Sequence, residues 1–115
     1  MIEREIKKIE VENGRIPFDE WFESLWDIKL RTAVDSRLAR VRAGNLGAQK
    51  PVGRGVFELK IDVGPGLRVY YGEHGRKVVI LLGGGDKSSQ PRDIRRAIQL
   101  WQQWKEFNEN ASKKL

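Results

Sequence analysis

The chain has 115 residues, the length of a single domain, and its 22 lysines and arginines outnumber its 16 aspartates and glutamates, giving a net charge of +6. It contains no cysteine, which excludes disulfides and thiolate metal sites. Its apolar runs are too short to span a bilayer and its first residues lack the apolar core of a signal peptide, so we expect a cytoplasmic protein with no membrane partner.

The charges are unevenly distributed along the chain. Residues 1–28 carry eight acidic and four basic side chains, whereas residues 29–115 carry eight acidic and eighteen basic ones. A basic body attracts polyanions through phosphate contacts and counterion release, so nucleic acid or an acidic protein is the expected partner. Solubility alone is the competing explanation, because many small proteins are basic without binding nucleic acid.

The N-terminal third predicts one strand and two helices. Residues 2–11 mix alternation with charge, which is typical of an edge strand, and Asn13-Gly14 then favours a turn. Pro17 is expected to open a helix, and Asp27 to cap a second helix that ends at Gly44. Each helix has an apolar stripe at helical spacing: Phe18, Trp21, Phe22 and Leu25 in the first, and Leu30, Val34, Leu38 and Val41 in the second.

The second helix is expected to have a basic outer face. A face of this kind follows phosphates, docks an acidic antagonist, or is simply solvated, and composition alone does not separate these interpretations. It carries one acid, Asp35, against five cations: Lys29, Arg31, Arg37, Arg40 and Arg42.

A glycine-proline turn joins two alternating segments in the middle of the chain. Residues 44–55 are rich in glycine and predict a loop that leads into the first strand, and Gly64-Pro65-Gly66 joins that strand to the second. Successive side chains in a strand face opposite sides, so each segment has one apolar face. The apolar residues are Phe57, Leu59, Ile61 and Val63 in the first segment and Leu67, Val69 and Tyr71 in the second.

Four polar side chains are predicted to gather on the other face of this hairpin. If both apolar sets lie in the core, the sequence numbers of two residues paired across the hairpin must add up to an even number. Lys60 then pairs with Arg68 and Glu58 with Tyr70, and the turn has an odd length. We expect the helices to cover the apolar face and to leave the polar face partly open. An ordinary solvated sheet face is the competing interpretation of this cluster.

The C-terminal part predicts a central strand and a helix. Residues 77–82 form an apolar run typical of a strand buried on both faces, ended by Gly83-Gly-Gly85. Pro91 stands near the start of the helix, and residues 109–115 are expected to be a frayed tail, leaving residues 1–108 as the single domain. The element order predicts an α+β fold with an antiparallel sheet of about four strands. The apolar stripe of the helix is Ile94, Ala97, Ile98 and Trp101.

Residue spacing excludes several nucleotide-directed chemistries. The segment Gly83-Gly-Gly-Asp-Lys-Ser-Ser89 is not a P-loop, because its lysine follows aspartate instead of glycine. The single histidine, His74, is expected in a surface turn, which excludes a histidine-pair ribonuclease. Asp62, Asp86 and Asp93 come from separate segments without metal-ligand spacing, so we expect neither a metal site nor a cofactor.

Metal-independent RNA cleavage fits the polar cluster. Such cleavage needs a base to accept the proton of the 2′-hydroxyl, cations to stabilise charge developing at phosphorus, and an acid to protonate the leaving oxygen. We assign Glu58 as the base, Arg68 and Lys87 as the cations, and Tyr70 as the acid or as a stacking surface for a base. The residues expected to bind the RNA phosphates are Lys50, Arg54 and Lys60.

Three segments together resemble a known family. They are Gly53-x-Gly55-Val-Phe-Glu-Leu-Lys60, Gly64-Pro-Gly-Leu-Arg-Val-Tyr-Tyr71 and Leu81-Leu-Gly-Gly-Gly-Asp-Lys-Ser-Ser-Gln-Pro-Arg-Asp-Ile94. The pattern resembles the addiction-module killer proteins of the RelE/ParE superfamily of bacterial type II toxins, close to the HigB-like branch. The similarity spans nearly the whole chain, and its segment Gly-Gly-Asp-Lys-Ser-Ser-Gln is fairly specific.

The resemblance implies a compact RelE-like fold and a cognate antitoxin, which often contains a helix-turn-helix. The toxin would contact operator DNA only through its complex with this antitoxin. It also implies toxicity through messenger-RNA cleavage, commonly on the ribosome. Active sites vary within this superfamily, so the catalytic residues named above rest on the strand geometry. Two further interpretations stay open: ParE-like members of the same fold inhibit DNA gyrase, and a relative without toxicity would serve only to regulate its own operon.

Overall fold

The computed structural model describes residues 2–113 and shows an α+β fold with a five-stranded mixed sheet. The strand order is β1-β5-β4-β3-β2, and every neighbouring pair is antiparallel except β1 with β5. The strands are β1 (Glu5–Lys8), β2 (Gln49–Gly53), β3 (Val56–Ile61), β4 (Leu67–His74) and β5 (Val78–Asp86), and the helices are α1 (Pro17–Ser24), α2 (Ile28–Arg42) and α3 (Gln90–Lys113).

The α+β class, the N-terminal edge strand and the C-terminal helix are confirmed, and the architecture is compatible with a RelE-like fold. The sheet has five strands where about four were predicted. The additional strand is β2, which lies inside the predicted loop 44–55 and forms the sheet edge opposite β1. Its Pro51 lacks a backbone N–H, which an edge strand tolerates, and Arg54 and Gly55 form a two-residue turn with φ of 51° and 85°.

The predicted register of the β3–β4 hairpin is confirmed. Glu58 is paired with Tyr70 and Lys60 with Arg68, and the turn between Ile61 and Leu67 has an odd length. The apolar face of the hairpin packs against α1 and α2 in a core that includes Phe18, Val34, Leu59, Val69 and Leu81. Alternation along the strands therefore gave the correct pairing and the correct core face.

The expectation that the helices cover only the apolar face is wrong, because α3 lies on the polar face. Glu58, Arg68 and Tyr70 are buried there, whereas Lys50 and Lys60 stay exposed, so the face is only partly covered. The second core cluster contains Val56, Tyr70 and Ile80 from the sheet, packed against Ala97 and Trp101 of α3. The apolar stripe of α3 has to be buried, and the bare backbone of Gly72 leaves room for an indole. A Cβ placed on Gly72 would lie 2.6 Å from ring atoms of Trp101.

The glycine run 83–85 continues β5 instead of ending it, since the strand extends to Asp86. Side chains from both helical layers pack onto this bare backbone: Trp21 of α1 lies against Gly84, and Asp93 of α3 lies against Gly85. Glycine at these positions therefore permits close approach of two helices to one strand.

The second helix agrees with its predicted cap but not with its predicted outer face. The Asp27 Oδ1 atom accepts a hydrogen bond from the Lys29 backbone N–H at 2.8 Å, as expected for an N-cap. Arg37, predicted to be exposed, is buried and donates hydrogen bonds to the carbonyls of Leu46 and Ala48. Arg37 therefore holds the segment between α2 and β2 against α2.

The predicted frayed tail, residues 109–115, is helical as far as Lys113, and residues 114 and 115 lie outside the described part of the chain. None of the helices within residues 2–113 combines the length and apolar character required to cross a bilayer.

Replacing Gly72 with alanine should destabilise the protein by about 1–3 kcal/mol, because the new methyl group has no space beside the Trp101 ring. The free energy of unfolding from urea titration measures the loss. In a Trp101→Leu background the same substitution should cost clearly less, because the ring is gone. Equal costs in both backgrounds would contradict this packing.

Candidate functional site

Polar side chains form two adjacent rows across the sheet on the α3-covered face. Lys50, Glu58 and Tyr70 are aligned across β2, β3 and β4, and Lys60 and Arg68 form the next row. Residues two positions apart share a face of a strand, so these five side chains lie on one surface. The register thus brings together five of the seven residues predicted from the sequence.

A buried ion pair lies at the centre of these rows. Glu58 is 1% exposed and Arg68 is 7% exposed, and Arg68 Nε lies 3.5 Å from Glu58 Oε1, without an aligned hydrogen bond at that nitrogen. Lys50 Nζ is 3.9 Å from the same oxygen, and Gln90 Nε2 donates to Glu58 Oε2 at 2.8 Å. A carboxylate removed from water requires such partners. One of them, Gln90, is the first residue of α3.

Lys87 lies at the same end of the sheet. Arg68 Nη1 donates to the Gly66 carbonyl at 2.8 Å, and a Cβ on Gly66 would lie 3.3 Å from that Nη1 and 4.0 Å from Lys87 Cβ. Lys87 is exposed and begins a short 3₁₀ turn, Lys87–Ser89. Asp86 caps this turn, and hydrogen bonds from Ser88 above all lower the pKa of its carboxyl.

The hydroxyl of Tyr70 is buried beside the carboxylate of Glu58. Tyr70 is 1% exposed and its hydroxyl is shielded from solvent; it interacts with Glu58, although no described residue forms a well-aligned hydrogen bond with it. Burial raises its pKa, and the nearby carboxylates of Glu58 and Asp93 raise it further. The phenol therefore remains protonated at neutral pH and acts as a donor. A buried ring offers no face for stacking, and the buried hydroxyl cannot reach a leaving oxygen, so neither role predicted for Tyr70, acid or stacking surface, is open to it in this structure.

A cleft of about 310 Å³ opens beside Tyr70. It follows the edge of β5 beyond Leu81, where pairing with β1 ends, and it lies between α1 and α3. The register of β4 with β5 shifts between Tyr70 and Tyr71, which marks a β-bulge at the cleft wall. The polar and aromatic residues that line the cleft are Arg15, Glu20, Trp21, Tyr70, Asp93 and Arg96.

Sequence analysis did not predict most of this cleft. Of its polar and aromatic lining residues, the sequence assigns a catalytic role to Tyr70 and places Trp21 in the apolar stripe of the first helix, but it assigns no role to Arg15, Glu20 or Arg96. The available signal was the Gly83–Gly85 run, because glycines inside a strand mark close approach of another group.

Arg54 stands apart from the buried pair, and Lys60, beside Arg68 in the second row, has its own acidic partner. Arg54 lies in the β2–β3 turn, four residues or about 13 Å along the strand from Glu58, so the structure does not bring it into the cluster. Lys60 is exposed and lies 3.6 Å from Asp62 Oδ1. His74 is exposed at the end of β4, in a T-shaped contact with Trp104. No group of three metal-ligating side chains occurs within residues 2–113.

The burial of Glu58 alters the role that the sequence predicted for it. A general base must come within hydrogen-bond reach of the proton that it removes. The carboxylate of Glu58 instead faces Arg68, Lys50 and Gln90 beneath α3. In this structure Glu58 positions cations and is not exposed to a ribose hydroxyl.

The two tyrosines of the chain should not ionise in the folded protein as the pH passes about 10, the usual pKa of the phenol. Burial raises both pKa values, that of Tyr71 to about 12. The unfolded chain ionises there and the folded protein does not, so stability is full below that pH and falls above it. Phenolate absorbance during alkaline titration tests this, and its appearance near pH 10 before unfolding would contradict the burial.

No family model matches the chain. An uncharacterized protein of Haemophilus influenzae is 42% identical to it over 88 residues, which cover 76% of this chain and 89% of that protein. The shared region includes most of the length of both proteins. The chain therefore belongs to the same family as this uncharacterized protein of Haemophilus influenzae.

Proposed function

We propose that the protein is the toxin of a type II toxin-antitoxin system and cleaves messenger RNA without a metal ion. The observation that carries this proposal is the convergence of four cations at one end of the sheet. These cations are Lys50, Lys60, Arg68 and Lys87.

The cations differ in what they can contribute. Arg68 is held by Glu58 and by the Gly66 carbonyl, so its guanidinium is fixed in place before any substrate binds. Lys87 is exposed on a capped turn, where its ammonium can approach a phosphate directly. Fixed positive charge at the position where a phosphorane develops is the largest electrostatic contribution to this type of cleavage. Lys50 and Lys60 are exposed and suit flanking phosphates.

The partners follow from the same charge distribution. A cationic surface of this kind attracts the phosphates of messenger RNA or of the ribosome, and a cognate antitoxin with acidic groups would silence the toxin by covering it. Operator DNA would be contacted through the antitoxin complex. Action on messenger RNA would place the protein in the cytoplasm.

The burial of Glu58 favours a second candidate function. A ParE-like inhibitor of DNA gyrase needs no proton acceptor, and Glu58, the carboxylate predicted to accept the proton, lies beneath α3. The outer face of α2 presents Lys29, Arg40 and Arg42, which are exposed and suit a polyanionic or acidic target.

Substituting Lys87 with glutamine should lower the rate of RNA cleavage about 100-fold, the usual effect of removing one group that stabilises transition-state charge. The matched control is Lys29→Gln, which removes a lysine of α2 that is also exposed and should change the rate less than twofold. Cleavage of a defined messenger RNA, with and without ribosomes, is the measurement. Equal rates for the two variants would remove Lys87 from the site.

An assay of DNA supercoiling separates the two functions. If the protein is a nuclease, purified gyrase keeps its supercoiling activity in its presence, and new RNA ends appear in cells after induction. Inhibited supercoiling with intact messages would overturn the nuclease proposal and establish the gyrase alternative.

A further inference from the structure

We infer that the exposed indole of Trp26 is a stacking surface for one unpaired base of the RNA. This inference rests on the proposed function and deepens it by adding a binding residue for the substrate. It concerns binding alone and includes no preference among the four bases.

Trp26 is the most exposed large apolar side chain in the described part of the chain, with 86% of its surface accessible. It lies in the short connection between α1 and α2. Leu25 before it is buried and its carbonyl accepts a hydrogen bond from Arg31 Nη1 at 2.6 Å, and Asp27 after it caps α2. The backbone on both sides of Trp26 is therefore fixed, while the indole itself faces solvent.

A groove of about 310 Å³ lies beside Trp26 and extends to the end of β5. Its volume is at the lower end of the ~300–1,000 Å³ typical of ligand pockets, which suits one nucleotide and not a longer segment. Flat aromatic side chains are the usual support for unstacked RNA bases. The apolar part of the lining consists of Leu25, Trp26, Leu30, Pro65 and Leu67.

Cations border the groove at the end of β5. Arg92 lines it, and its side chain is 77% exposed, so its contact of 4.0 Å with Asp93 is a weak surface ion pair. Lys87 is exposed and directly follows Asp86, another lining residue. Both cations can approach the phosphates of a nucleotide whose base lies on Trp26.

The two carboxylates of the groove are engaged by the short turn Lys87–Ser89. Asp86 Oδ1 accepts a hydrogen bond from the Ser88 backbone N–H at 2.8 Å, and Asp93 Oδ2 accepts one from the Ser89 hydroxyl. Because these acids already have donors in the fold, Arg92 and Lys87 are the charged groups that remain for a ligand. The groove therefore pairs an aromatic surface with available positive charge.

The groove adjoins the cations of the proposed cleavage site through Lys87. A Cβ placed on Gly66 would lie 4.0 Å from Lys87 Cβ, and the Gly66 carbonyl accepts the hydrogen bond of Arg68 Nη1. Lys87 thus borders both the groove and the fixed guanidinium. The base stacked on Trp26 would belong to a nucleotide next to the phosphate that these cations bind.

The surroundings of Trp26 favour RNA over a protein partner. The large apolar side chains exposed within residues 2–113 are Ile2, Trp26, Ile28 and Phe107, and of these only Trp26 and Ile28 are neighbours in the chain. A partner helix docks through several apolar anchors in a continuous row, which two side chains do not provide. An exposed aromatic ring beside cations is the usual composition of a surface that binds single-stranded nucleic acid.

Fluorescence anisotropy of the full-length protein with a labelled 2′-O-methyl oligoadenylate tests the inference. The methyl group blocks the 2′-hydroxyl, so binding is measured without cleavage. An abasic chain of the same length carries the same phosphates without bases. We expect Trp26→Ala to weaken binding of the oligoadenylate about tenfold, the usual effect of losing one stacked base, and to change binding of the abasic chain less than twofold.

Three further variants separate stacking from charge and from general exposure of an aromatic ring. Trp26→Tyr keeps a ring and should bind the oligoadenylate within about threefold of the wild type. Phe107→Ala removes another exposed ring, 76% accessible and on α3, and should leave both affinities unchanged. Arg92→Gln should weaken binding of both chains by the same factor and reduce the salt dependence, because it removes a phosphate contact.

Three results would overturn the inference: no binding of the oligoadenylate by the wild type, an affinity that Trp26→Ala leaves unchanged, or an equal loss for the abasic chain. The second result would leave a protein partner as the occupant of this corner. Because Trp26 is exposed, its replacement should not lower the free energy of unfolding, and urea titration checks this.

Failure of this inference is distinguishable from failure of the proposed function. Cleavage of unmodified RNA together with binding that does not depend on Trp26 would leave the nuclease in place and remove the stacking surface. Binding that depends on Trp26 without cleavage of unmodified RNA would retain the stacking surface and remove the nuclease.

Discussion

The carboxylate of Glu58 is the constraint on which the two layers of this protein depend. A buried carboxylate is tolerated only when cations and hydrogen-bond donors replace the water that it has lost. Those partners come from three parts of the chain: Arg68 from β4, Lys50 from β2 and Gln90 from α3. This carboxylate therefore links the centre of the sheet to the start of the C-terminal helix, with a longer contact to the exposed ammonium of Lys50 on the edge strand.

Packing and electrostatics are coupled through α3. The helix can lie on the polar rows because glycines remove side chains below it: Gly72 admits Trp101, and Gly85 admits Asp93. Its placement shields the Glu58–Arg68 pair from water, which strengthens their attraction and raises the cost of losing either partner. The same placement brings Asp93 close to Tyr70, so the helix completes the cleft as well as the core.

The sequence predicts which strands pair better than it predicts which faces of the sheet the helices cover. Alternation with period two and a fixed turn length dictate the β3–β4 register, and so the proximity of Glu58, Arg68 and Tyr70 could be predicted from local pattern. Alternation does not reveal which faces of the sheet a helix covers. In the sequence, a row of buried polar side chains that contact one another looks the same as a row exposed to solvent. β2 was missed because glycine and proline are depleted in strands, yet an edge position tolerates them. The cleft depends on contacts between α1, β5 and α3, which no local pattern encodes.

The hydroxyl of Tyr70 connects α3 to the buried ion pair. It is shielded from solvent and interacts with the carboxylates of Glu58 and Asp93, which together with burial raise its pKa. A buried polar group is costly unless its neighbours replace the water that it has lost, and here Glu58 of β3 and Asp93 of α3 act on the same phenol. The helix, the ion pair that holds Arg68 and the strand β4 are thereby linked through neighbouring residues.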